Sequence, residues 1–241
     1  MKIAAETGSR SGALDETAIG RQTLLSAFHQ RLGREPFEPY NLGLTMAGAG
    51  MLWVGWFGFN AGSAVAADGR AGLAMAVTHL AAAAGALSWM LGEWVVRGRP
   101  SLLGLCSGLV AGLVAITPGA GYVTPRAALA IGVVAGLVCY WGATGLKRWL
   151  HTDDSLDVFG VHGIGGVVGS LLTGVFASRT VSGVDGSVLT QAVGVGTVMI
   201  FSLVGTAVLL WLTGKVVPLR VDETSELEGL DIAEHREHLG S

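Results

Sequence analysis

The chain has 241 residues, of which 51% are apolar and only 14% charged, with a formal net charge of −3. Its charges gather between long apolar blocks instead of lining amphipathic faces, which argues against an ordinary soluble domain or a nucleic-acid binder and for a membrane protein. Cys106 and Cys139 both fall within apolar blocks, where a structural thiol is the ordinary expectation and a disulfide has no support.

Residues 1–40 contain no apolar core long enough for a signal peptide or a span, and are expected outside the bilayer. Within them, "TLLSAFHQRL" sets Leu25, Phe28 and Leu32 at helical spacing, which suits either a short interfacial helix or a disordered segment. A span needs about 20 mostly apolar residues. Six blocks qualify, at 42–66, 72–95, 101–117, 126–149, 155–177 and 188–217. The expected architecture is therefore an all-α membrane protein with six transmembrane helices in a domain covering 41–217, followed by an acidic tail at 218–241.

Cytoplasmic loops retain Lys and Arg. With six spans both ends lie on one side, and alternate loops divide the 15 basic residues so that only Arg70, Arg126 and Arg179 fall on the other. Both termini are thus predicted to be cytoplasmic in a multi-pass cell-membrane protein.

Lipid gives apolar helices no hydrophobic reason to associate, so small residues that allow close backbone approach must supply the attraction. Gly58 and Gly62, then Gly104, Gly108 and Gly112, then Gly132 and Gly136, then Gly165 and Gly169 all stand at GxxxG spacing, which predicts a tight bundle. "TPGAGYVTP" is a turn cluster that no helix would cross. In "HTDDSLD", Asp154 is placed as the N-cap of the fifth span with Asp157 as its capping-box acid. A helix beginning near Ser155 would carry His162 about 10 Å along its length.

Ionisable groups at membrane depth are costly and usually face a cavity or a partner. His162 is such a group, and its helical neighbours Gly165, Gly166 and Gly169 leave room beside the ring for a narrow lumen or for another helix that accepts its hydrogen bond. His79 lies in the second span without such clearance. In the first span, "WFGFNAGSA" stacks Trp56, Phe59 and Ser63 on one helix face. Two rings and a hydroxyl can hold a small cation at about 0.5 to 2 kcal/mol per ring, while packing and interfacial placement account for the aromatics equally well. Asp68, beyond the outer end, is either a cation attractor or a solvated loop acid. Among the residues at membrane depth there is no nucleophile–base pair and no metal-spaced cluster, so neither an enzyme nor a cofactor or metal is expected.

Together "LWVGWFGFNAGSAVAA", "GEWVVRGRPSLLGLCSGLVAGLVAITPGAGYV", "IGVVAGLVCYWG" and "DDSLDVFGVHGIGGVVGSLLTGVFAS" resemble the ammonium transporter (Amt/Rh) family, over about 200 residues running to "LRVDETSELEGLDIAEH". The resemblance implies a trimer in which each subunit has its own pore, built from two inverted five-helix repeats and a final long helix. This chain resembles the second repeat and that last helix, the second half of an eleven-helix fold. Phe59 matches the second of two stacked gate phenylalanines, Ser63 the hydroxyl of the outer ammonium site, and His162 the second of two paired pore histidines. Asp157 matches the acid that opens the same helix motif, where capping is its expected role, and Trp56 lies within the motif without an assigned ligand role.

Nothing in the chain corresponds to the first repeat, and residues 1–30 match nothing in the family. The expected function is ammonium recruitment and ammonia conduction with histidine proton handling, by a half that needs its complement. The alternative is a non-transporting fragment, or a regulatory or sensor subunit inserted beside complete transporters. The implied partners are ammonium or ammonia, membrane lipid, further copies in a trimer or a complementary N-terminal half, and a PII-type regulator at the cytoplasmic tail.

Overall fold

A computed structural model describes residue 39, residues 41–150 and residues 154–237, with the side chains of Glu223 and Leu227 excepted. The predicted interfacial segment around Leu25, Phe28 and Leu32 lies outside the described residues. Among the described residues six helices are long and apolar enough to cross a membrane: α1 Leu42–Gly62, α2 Gly69–Arg97, α3 Leu102–Gly119, α4 Pro125–Leu150, α5 Val158–Phe176 and α6 Val188–Thr213.

Their boundaries follow local chemistry. Asn41 accepts the Leu44 N–H at the start of α1, and Ser101 accepts that of Gly104 at the start of α3. Thr124 accepts from Ala127 while Pro125 occupies the first turn of α4, where its missing N–H costs nothing. Ser187 caps α6 through Thr190. Asp68 caps α2 by accepting from Arg70 and Ala71, so its carboxylate is engaged in ending the loop instead of standing free at the mouth. Gly98 closes α2 at φ 74°, a left-handed value that glycine adopts without steric cost.

The core is a three-helix contact centred on α2. A Cβ on Gly108 would strike the Trp89 side chain and the Gly85 carbonyl, and one on Gly112 would strike Ala81 and Ala82. From the other side, Gly132 abuts Ala81 and Ala84, and Gly136 abuts Ser88 and Gly85. Side-chain-poor surfaces thus let α3 and α4 approach α2 backbone to backbone, as GxxxG pairing requires. Val77, Leu113, Ile116, Val123 and Ile131 are fully enclosed around this seam. The Gly58–Gly62 pair behaves differently: open space surrounds both residues. It packs against no helix among the described residues.

Helix α1 lies on α2 and α3, whereas α5 lies on α3, α4 and α6. The two outer helices are nearly bare. Helix α1 buries only Ala49 and Asn60, and α6 buries none of its residues. Cys106 and Cys139 are buried free thiols.

A π-helical turn, Gly142–Leu146, interrupts α4, and a second, Val158–Gly163, opens α5. They face one another: a Cβ on Gly142 would meet the Gly160 carbonyl at 2.9 Å, and one on Gly160 would meet Ala143 Cα at 2.8 Å. The start of α5 therefore differs from the expected capping box. The helix begins at Val158, and the Asp154 carboxylate accepts the N–H groups of Val158, Phe159 and Gly160 from a distance. Asp157 sits at φ 53°, ψ 32°, which turns its side chain away from the helix and toward Lys147.

The tail holds a short helix α7, Glu223–Glu228, capped by Asp222 and tied by an Arg220–Glu226 ion pair, then a π turn at Asp231–His235.

Candidate conduit face

One helical turn of α1 sorts its side chains by surface. Asn60 points inward and is buried, its Nδ2 donating to Thr78 Oγ1 at 2.9 Å, and Thr78 donates in turn to the Ala74 carbonyl. Phe59, one residue earlier, points outward and is 62% exposed. Trp56 meets the Phe59 ring edge-on, with centroids 5.9 Å apart. Its indole N–H donates to Thr117 Oγ1 at 2.8 Å, which fixes the indole against the end of α3. Ser63 is exposed and donates to the Phe59 carbonyl at 2.7 Å. That bond uses its only proton, so the lone pairs of Oγ remain the groups that can accept an N–H from outside. Of the three residues predicted to share a face of the first span, Phe59 and Ser63 are exposed, whereas Trp56 is half-buried against Ala82, Ala86, Leu109 and Leu113.

His162 stands on a different element, in the π turn that opens α5. It is exposed and forms no hydrogen bond with another described residue. Val161 beside it is buried at 4% exposure, and its carbonyl accepts from Cys139 Sγ at 3.6 Å. Of the three glycines expected to clear space around the ring, only Gly166 does so. Gly165 instead admits Val114 and Cys139, and Gly169 admits Ala115, so these two seat α5 on α3 and α4. His162 makes no ring contact with Phe59; α3 stands between their helices, holding Trp56 through Thr117 and α5 through Val114 and Ala115.

His79 is the face of an aromatic stack. Its ring lies 5.0 Å from Trp53 at an interplanar angle of 24°, with Phe57 at 6.0 Å. The buried indole nitrogen of Trp53 has no hydrogen-bond partner among the described residues. Sequence reasoning also passed over Glu93, only 3% exposed, whose carboxylate accepts from Arg97 and from both the N–H and the hydroxyl of Ser101. The acid within an apolar block was its signal, and its work is to hold the α2–α3 turn.

Lys147 Nζ lies 2.8 Å from Asp157 Oδ1, both partly buried. Burial pushes the Asp157 carboxyl above its ordinary value of 3.8, against the hydrogen bond and charge of Lys147, which pull it down. Among the described residues no three His, Cys, Asp or Glu side chains gather as a metal site.

Six apolar helices among the described residues define a multi-pass membrane protein, with Phe59 and Ser63 exposed at the end of α1 and His162 exposed at the start of α5. The profile of the Ammonium Transporter Family matches residues 23–239, so the likeness starts earlier than the expectation that residues 1–30 match nothing, and the chain belongs to that family. It is a family of transporters and not of enzymes, in keeping with the reading of the residues. An ammonium transporter of Bacillus subtilis is 44% identical over 209 residues, covering 83% of this chain and 52% of the relative. The crystal structure of Saccharomyces cerevisiae Mep2 superposes with a TM-score of 0.72 at 38% identity, over 78% of this chain and 45% of Mep2. A structure named Sensor Amt Protein superposes with a TM-score of 0.75 at 34% identity, over 81% of this chain and 49% of that one. The chain thus spans about half the length of the relatives it matches, and its six helices correspond to about half of their fold.

Proposed function

We propose that this chain forms one wall of an ammonium pathway, with Phe59, Ser63 and His162 on the surface that a complementary half covers. The observation that carries this reading is the exposure of all three residues in a chain spanning about half its relatives. A lone imidazole on lipid would be costly. Opposite a second wall it lines a lumen. The complement is supplied either by the same polypeptide or by another, and three copies of the completed unit associate, each with its own pathway.

The chemistry follows from the cost of charge. A bare cation in an apolar medium costs tens of kcal/mol, whereas an amine of pKa about 10.4 gives up its proton at pH 7 for roughly 5 kcal/mol. Ammonium is held first by the Ser63 oxygen and the aromatic rings, loses its proton, and passes Phe59 as ammonia. His162 holds or relays the proton at a depth where a fixed charge would block the path. The basic-residue distribution supports cytoplasmic termini, and the acidic tail with α7 offers a PII-type regulator its docking element.

A sensor that binds ammonium without passing it is the second reading, favoured by the likeness to Sensor Amt Protein. Methylammonium uptake separates the two in cells lacking other ammonium transporters. The chain co-expressed with a first-repeat half is expected to give uptake above empty cells, and His162→Ala is expected to abolish it. Uptake at the empty-cell level despite correct assembly would leave the sensor.

A further inference from the structure

The segment holding His162 is fixed at both ends, and Lys147 holds one of them. At the far end, Gly165 and Gly169 press α5 onto α3 and α4, so the helix from Ile164 onward has no freedom to turn. At the near end, Asp154 gathers three free N–H groups of the first turn, and Asp157 reaches across to Lys147 on α4. Between these anchors lies one residue more than an α-helix would accommodate. The surplus is absorbed as the π turn Val158–Gly163, in which Val161 faces α4 and His162 faces outward. Single π turns inside helices commonly mark functional positions.

The alternative register is close at hand. Asp157 occupies a left-handed backbone conformation that is uncommon for non-glycine residues, though aspartate takes it more readily than most. If it relaxed, the surplus residue would leave through the loop and the turn would revert to α geometry. One residue corresponds to about 100° around a helix axis, because 3.6 residues make a turn. That rotation would carry His162 off the open face.

We propose that Lys147 is a positioning residue for His162, acting through Asp157 to hold the π register that aims the imidazole into the conduit. The functional meaning rests on the pathway proposed above. The register itself does not, and it can be read without any transport.

The test is site-resolved alkylation of the detergent-solubilised chain by N-ethylmaleimide, mapped by mass spectrometry, in Val161→Cys and His162→Cys variants. The native thiols at Cys106 and Cys139 are buried and report on the integrity of the fold. With Lys147 present, position 162 is expected to react about tenfold or more faster than position 161, reflecting native exposure and not local opening. In Lys147→Met the ratio should collapse or invert while the native thiols stay protected, and Lys147→Arg should restore it. An unchanged ratio in Lys147→Met overturns the proposal. If Lys147→Met exposes the native thiols, the decision passes to the Lys147→Asp/Asp157→Lys exchange. Recovery of the native ratio there supports the proposal, and failure to recover it counts against it.

Discussion

The indole N–H of Trp56 donates to the hydroxyl of Thr117 at 2.8 Å, joining α1 to the end of α3 across 61 positions of sequence. Thr117 passes the bond on to the Leu113 carbonyl, so the hydroxyl is used as acceptor and donor at once. This contact holds Trp56 half-buried against Ala82, Ala86, Leu109 and Leu113, where it backs the edge-packed and exposed Phe59 ring.

Replacing Thr117 by Val removes the acceptor and leaves the indole without its partner. The expected loss is about 1 to 3 kcal/mol, whereas Trp56→Phe, which removes the donor and keeps a ring, should lose about 0.5 to 1.5 kcal/mol. The double variant should fall short of the sum, since the two residues share one bond. Unfolding in detergent titrations checks all three.

The glycines divide into two groups that a single kind of substitution distinguishes. Gly112→Ala would drive a methyl into the Ala81 carbonyl, where backbone cannot yield, and should cost about 1 to 3 kcal/mol. Gly58→Ala meets only open space and should be neutral or stabilising by up to about 1 kcal/mol, because alanine loses less entropy in a helix. The same detergent unfolding assay reads both. A complemented assembly in which Gly58→Ala is costly would place a partner helix against it.

Asp157 makes stability depend on pH in a stated direction. Its folded-state carboxyl is raised by burial, so between the unfolded value of 3.8 and the raised one the native state holds the proton more firmly. Stability then falls as pH rises through that window and is level above it. Lys147→Met removes the two influences that lower the carboxyl and should push the window upward. As pH rises above 3.8, Lys147→Met should therefore lose more stability than the natural chain, and adding Asp157→Asn should abolish the excess. Thermal unfolding across that range is the measurement.

The spans were legible because hydropathy integrates over about 20 residues, so errors of a few positions at each end leave the helix in place. Caps at Asn41, Ser101, Thr124 and Ser187 could be read from residue type alone. What escaped was anything that turns on one residue of register. The π turns at Gly142–Leu146 and Val158–Gly163 leave the apolar pattern intact, so the α5 start was placed three residues early, and Asp157 was given a capping role that Asp154 fills alone. GxxxG spacing predicted a tight bundle, but it could not say that α2, which carries no such pair, is what the α3 and α4 glycines pack on, nor that Gly58 and Gly62 face open space. Helical spacing set Trp56, Phe59 and Ser63 in one stripe but could not say that Trp56 packs inward on Ala82, Ala86, Leu109 and Leu113, nor that Asn60 turns onto Thr78, because both depend on partner helices that no local pattern reveals.

The most direct measurement is a cryo-electron microscopy structure of this chain assembled with a complementary first-repeat half. The expected result is one continuous lumen lined by Phe59, Ser63 and His162, with the exposed face of α1 covered. Those three side chains on separate surfaces of the assembly, with no channel joining them, would contradict the pathway proposed for it.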